Sequence, residues 1–225
     1  MVKYQFRTYD LHIHMYDAEQ RIIFTQGGPR IVTICASNTA MKIVHLKPIS
    51  CDCALGHDFL RVYTISQRVK DLLRGNKHGT IVVNVRTNRI SFTHDHNGLI
   101  RRVSDVLDDD DESFEIDTKD RYAFLLEFHH WKQFMPMLKD STTRVDVSNT
   151  SVTFSGNDCG AAYACFNCSP CTFEVKYEDF KFIYDTWEAD TTSRLTMGQG
   201  ENGILFIRGK NHSGQQCYGY MTPIL

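Results

Sequence analysis

Ten residues near the amino terminus, YDLHIHMYDA (9–18), place two histidines two positions apart behind an aspartate. On a strand, side chains spaced by two point the same way, so His12 and His14 could grip one metal ion and activate water for hydrolysis. On a helix the pair stands about 200° apart around the axis and cannot share an ion. CFNCSPC supplies a second set of candidate ligands, Cys165, Cys168 and Cys171, with Cys159, Cys51 or Cys53 as a fourth. Thiolates spaced C-x2-C suit zinc or an iron–sulfur cluster. No second C-x2-C or histidine pair follows at a set distance, so free thiols at a turn are the expectation, with no metal and no cofactor. No nucleophile elbow, phosphate loop or dinucleotide fingerprint is present, and no enzyme activity is expected.

The elements that would carry these residues decide the matter. With 225 residues the chain can form one large domain or two of roughly 110. A 42% hydrophobic and 12% aromatic content supports a packed core. The net charge of −2 excludes a body coated in positive charge, so a nucleic-acid site would be a local basic strip. No secretory leader is apparent and no run of about 18 apolar residues offers a membrane span, so eight cysteines read as reduced thiols inside a cell.

One pattern recurs four times: a β-like run, a short helical stretch, then β-like runs separated by turn residues. In the last copy TFEVKY alternates as a strand, and Phe180, Ile183, Tyr184 and Trp187 fall on one helix face, with Asp179 as the expected N-cap. In the second, Ile65, Val69, Leu72 and Leu73 share a face, and TIVVNV and RISFTH flank the turn RTN. The third carries Trp131, Phe134, Met135 and Leu138, with Pro136 expected to kink or shorten the helix. In the first copy Leu11, Met15, Ala18 and Ile22 repeat at helical spacing, which predicts a helix over twelve residues. That helix would separate His12 from His14.

Between the second and third copies, VSDVLDDDDESFEIDTKD (103–120) is self-repelling and expected to run extended and exposed. The reading is α+β, with two tandem domains at 1–104 and 121–225 joined by an acidic loop at 105–120. Each domain has two β-α-β-β-β units, with the helices on one face of curved antiparallel sheets.

This arrangement resembles the DNA sliding clamp family, the proliferating cell nuclear antigen type, over the whole chain in element order. The ending FEVKYEDFKFIYDTW…LTMGQGENGILFIRG…CYGYMTPIL carries most of the likeness, and also resembles checkpoint clamp subunits. A divergent member is implied, with a viral origin as one expectation. The resemblance implies a polymerase processivity factor that encircles or cradles double-stranded DNA without sequence preference and tethers DNA polymerase and other replication proteins. It implies a homotrimer, with a monomer or heteromer as alternatives, in the nucleus or at a viral replication site. A checkpoint-like or transcription-linked relative, acting as a non-ring or heteromeric subunit, is the second reading.

Such a protein needs cations at phosphate height on its helices. The candidates are Gln20 and Arg21 on the first helix, and Gln67, Arg68, Lys70, Arg74 and Lys77 on and after the second. Lys132, Gln133 and Lys139 belong to the third and Lys181 to the fourth. The family's partner-peptide pocket maps onto Met41, His45, Val106, Leu107, Phe114, Ile116, Pro223, Ile224 and Leu225. Subunit edges are expected around Leu99 to Val103 and at GAAYACF.

The Asp-x-His-x-His string also resembles the metal-binding opening of amidohydrolase and PHP-type hydrolases, a reading from a different class. Those enzymes need an alternating β/α barrel with further ligands at strand ends. Here His94, Asp95 and His96 would have to serve, and they fall at a hairpin end expected to be solvated.

Overall fold

The computed structural model describes residues 1–12, 14, 15, 18–52, 59–75, 77–108, 116, 119–138, 142–156, 160–164, 170–187, 194–211 and 214–224. The chain is α+β, built mostly of antiparallel strands with few helices. Its elements follow in four rounds. The first is β1 (Val2–Arg7), α1 (Thr8–His12), β2 (Glu19–Thr25), β3 (Gly28–Ile34) and β4 (Ala40–His45), with a short β5 (Ser50–Asp52) that sequence patterning had not suggested. The second is β6 (Leu60–Thr64), α2 (Gln67–Arg74), β7 (Thr80–Val85), β8 (Arg89–His96) and β9 (Leu99–Val106). The third is β10 (Asp120–Glu127), α3 (Phe128–Phe134), β11 (Thr142–Val147), β12 (Ser151–Ser155) and β13 (Gly160–Ala164). The fourth is β14 (Cys171–Lys176), α4 (Tyr177–Thr186), β15 (Arg194–Gly200), β16 (Leu205–Lys210) and β17 (Gln216–Met221).

Two compact units divide the chain. One comprises Met1–Thr33 and Ile43–Phe114, the other Ile34–Lys42 and Glu115–Leu225. Both units use the same strand exchange. In the first, β1 heads the meander β7-β8-β9, while β6 heads β2, β3 and the Ile43–His45 part of β4. In the second, β10 heads β15-β16-β17 and β14 heads β11-β12-β13. The strand before each helix thus joins the three strands that follow the other helix. Neither half of a unit can be lifted out without tearing a ladder, such as Phe6 opposite Ile81 or Val145 opposite Phe173.

The helices are short, and helices of such length are marginal in water unless an apolar stripe is buried. On α2 the stripe is Val69, Leu72 and Leu73, preceded by Ile65, all buried. On α3 and α4, Trp131, Phe180, Ile183 and Trp187 are buried. Trp131 stacks on Phe180 with centroids 5.4 Å apart and meets Phe128 edge-on at 6.0 Å. Pro136 shortens the third helix as expected: α3 stops at Phe134 and a 3-10 turn, Met135–Met137, carries the proline. The expected N-cap Asp179 proves instead to be a buried residue inside α4, whose N-cap is Lys176. Its carboxylate accepts a hydrogen bond from Ser37 Oγ at 3.1 Å, within the second unit.

The twelve-residue first helix is not formed. After His12 the backbone tightens, with His14 N–H donating to Leu11 and Met15 N–H to His12, both at 3.1 Å. Ala18 falls in a bend and Ile22 on β2 opposite Tyr63. Leu11, Met15 and Ile22 are all buried, so their helical spacing was real burial on mixed backbone. The β-branched pair Ile22–Ile23 favours the ladder with β6 over another two turns of helix. Among the described residues, no helix is long and apolar enough to cross a membrane.

Gly198 marks the tightest approach in the second unit: a Cβ there would lie 2.2 Å from the Tyr122 carbonyl and 2.8 Å from the Phe206 ring. Gly198→Ala is therefore expected to destabilise the chain by about 1–3 kcal/mol, read as a lower urea midpoint. Trp131→Ala should cost about 3–5 kcal/mol. A loss below about 1 kcal/mol in the tryptophan variant would show that the aromatic cluster does not hold the second unit together.

Candidate nucleic-acid interface

In each unit the two helices lie beside each other. His12 Nδ1 donates to the Leu73 carbonyl at 3.1 Å, tying α1 to α2. Phe128 stacks on Tyr184 with centroids 5.9 Å apart, tying α3 to α4. With their stripes buried, the helices present their remaining faces to solvent.

The helix α2 carries the best-placed cations. Its Gln67 and Arg68 are exposed, Arg74 is half-buried, and Lys77 is exposed in the turn that follows. Gln67 donates to the Asp71 carboxylate at 2.7 Å, so part of this face is already neutralised. Lys132 and Gln133 are exposed on α3. Lys181 pairs with Asp185 one turn on along α4. That carboxylate raises the lysine's pKa and offsets its charge toward any incoming phosphate.

Three expected contacts sit elsewhere. Gln20 lies on β2 with 1% exposure, its amide nitrogen donating to the His14 carbonyl and to Thr33 Oγ1. Arg21 is on the same strand and pairs with Glu19 at 2.9 Å. Lys70 is buried, and its ammonium donates to the Ala18 carbonyl at 2.7 Å. A lysine stem long enough to reach over apolar neighbours brings its charge to a turn carbonyl instead of to solvent. Lys139 lies outside the described residues.

The acidic segment begins anchored, where an exposed run was expected. Residues 105 and 106 finish β9 and Leu107 is buried. The Asp105 carboxylate accepts hydrogen bonds from Tyr63 Oη at 2.6 Å and Ser66 Oγ at 2.7 Å. Asp108 accepts from the Thr64 backbone at 2.6 Å and its hydroxyl at 2.8 Å. Burial acts to raise the Asp105 pKa, but the Tyr63 and Ser66 hydrogen bonds and the Arg68 charge outweigh it and hold the carboxyl below its ordinary range. Tyr63 is pushed up to about 12, by burial first and by its bond to Asp105 second.

Of the expected peptide-pocket residues, Met41, Pro223 and Ile224 are half-buried in the second unit, where Thr222 N–H donates to the Thr39 carbonyl and Ile224 N–H to that of Glu174. His45 is half-buried, Leu107 buried and Val106 66% exposed in the first unit. Ile116 is half-buried, while Phe114 and Leu225 lie outside the described residues. The expected edges do end their sheets: β9 closes β5-β1-β7-β8-β9 and β13 closes β13-β12-β11-β14. Leu99 and Ile100 on β9 are 56% and 66% exposed.

The metal reading built on the first histidines loses its geometry. His12 is spent on Leu73, His14 is 1% exposed, and neither belongs to a group of three metal-capable side chains among the described residues. The hairpin-end site is not solvated throughout, since His94 is buried and its Nε2 donates to the His78 carbonyl at 2.9 Å. Of the CFNCSPC cysteines only Cys171 is described, as a half-buried free thiol; Cys165, Cys168, Cys159 and Cys53 lie outside the described residues. One basic feature escaped sequence reading. A shallow concavity of about 360 Å³ on the sheet face away from α4 gathers Arg194, Thr196, Arg208, Lys210, Gln216 and Tyr218. These residues alternate on three strands, which only the ladder registers reveal.

No family model matches the chain, and no curated protein matches its sequence.

Because the Asp105 carboxyl is held low, its contribution is present above the ordinary carboxylate range and is lost as pH falls through the depressed folded value. Asp105→Asn should therefore cost about 1 kcal/mol at neutral pH, measured by urea unfolding. Its deficit against wild type should shrink below about pH 4.

Proposed function

We propose that this chain is a DNA sliding clamp, a non-enzymatic processivity factor that surrounds duplex DNA and tethers a polymerase to it. The observation that carries the reading is the doubled architecture: two units, each with two β-α-β-β-β rounds that trade their first strands and set two short helices side by side. A protein that must slide needs contact with phosphates and no grip on base edges. The exposed side chains of α2 and α3 fit that need: Gln67, Arg68, Lys132 and Gln133, with Lys77 beyond α2, are flexible and polar.

The charge balance supports weak holding. The cations of α2 and α3 are set against Asp71 on α2 and Glu178 and Asp185 on α4, all exposed. A surface of this kind retains DNA through topology better than through affinity. Edge strands β9 and β13 supply unpaired backbone groups that a second copy can use to extend a sheet, and three copies joined this way would close a ring. Tethering then raises the local concentration of polymerase at the primer end without any new catalytic group. The half-buried Met41, Pro223 and Ile224 in the second unit are the proposed landing point for partner peptides.

Primer extension on a long single-primed template tests the reading. Added chain should lengthen the products of a cognate replicative polymerase; unchanged length at saturating chain would count against it. Duplex binding followed by fluorescence anisotropy should weaken with salt, independently of sequence. Arg68→Ala with Lys77→Ala should lower the slope of log K against log salt by about 2, whereas Lys70→Ala should leave that slope unchanged.

A further inference from the structure

We propose that Glu127, His129 and His130 form an open binding site for one divalent transition-metal ion of the zinc class. Their ligand atoms, one carboxylate oxygen and two imidazole nitrogens, all lie within 4.8 Å of one another. The set is chemically matched to such an ion, which takes imidazole nitrogen and carboxylate oxygen at about 2.0–2.2 Å. Ligands at that range around a tetrahedral centre stand about 3.4 Å apart. Closing the site therefore needs only side-chain rotation, and the chains have room for it. His130 is exposed, while Glu127 and His129 are 44% and 41% exposed.

The backbone explains why three residues so close in sequence can converge. Positions two apart share a face on a strand, and positions three apart share a face on a helix. Glu127 is the last residue of β10 and the N-cap of α3, with extended φ −82° and ψ 132°. Standing at the junction, it meets His129 by the first rule and His130 by the second. On an unbroken strand or helix one of the histidines would point away.

The carboxylate is also available. Glu127 makes no side-chain bond to the helix backbone it caps, and its Oε2 instead lies 3.2 Å from His129 Nδ1. The carboxylate oxygen and the ring nitrogen already face each other, and a metal ion would take the place of any proton held between them. The rings of His129 and His130 lie 3.9 Å apart by centroid, so the second imidazole borders the same point. Three protein ligands leave a fourth position to water or to an anion. The site stands independently of the clamp reading, since it needs neither DNA nor a second copy.

Cobalt(II) is the probe, titrated into the full chain and followed by absorbance. Nitrogen and oxygen ligation gives visible ligand-field bands alone, whereas thiolate ligation adds a near-ultraviolet charge-transfer band, which separates this site from the cysteines. The expected result is one Co(II) per chain without the thiolate band, bound at least about tenfold more weakly by His129→Ala and by His130→Ala. His12→Ala should bind as wild type does. Both substituted imidazoles are at the surface, so an unchanged metal-free thermal transition is expected to show the variants folded. Undiminished affinity in the two histidine variants, or cobalt bound only through thiolate, would overturn the proposal.

Discussion

The exchange of leading strands is the constraint on which the rest depends. Each unit holds two helices of ten residues or fewer, and none is long enough to persist by its own hydrogen bonds. They survive because β1 and β6, or β10 and β14, carry them onto meanders contributed by the opposite round. The apolar stripes of these helices are then buried against the strands, α4 against both β14 and β17. Val69 and Leu73 in the first unit and Trp131 and Phe180 in the second have essentially no solvent exposure. The outward faces are left without structural duties, which frees them for a ligand.

On the proposed clamp reading, that division of labour suits mechanical work. The carboxylate network of Asp105 with Tyr63 and Ser66 fastens the end of β9 to the entry of α2. The same network puts a negative charge 3.9 Å from Arg68, which moderates the most exposed cation of the helix. On the proposed clamp reading, this balance would give weak, salt-sensitive attraction, and permanence on DNA would come from enclosure.

Much of the fold was legible because burial leaves a period. The stripe Ile65, Val69, Leu72 and Leu73 announced α2, and Phe180, Ile183 and Trp187 announced α4. The first helix misled for a physical reason. Leu11, Met15 and Ile22 are core residues, but one sits on a helix, one in a turn and one on a strand, and the eye joins them at 3.6. The error passed to the site: Gln20, read as a helix surface residue, is an inward strand residue that secures the turn at His14. Lys70 failed differently, since its helix was right and only the tertiary position of the Ala18 carbonyl decides where its ammonium goes. The convergence of Glu127 with His129 and His130 was invisible because it depends on a strand becoming a helix at one residue.

The proposed ring has a direct readout in its mass. Multi-angle light scattering of the purified chain at micromolar concentration and low salt should report three chain masses, falling to one when Ile100→Asp places a charge on the β9 edge. A wild-type chain that stays at one mass across the accessible concentration range, unchanged by that substitution, would contradict a clamp that closes through its own edge strands.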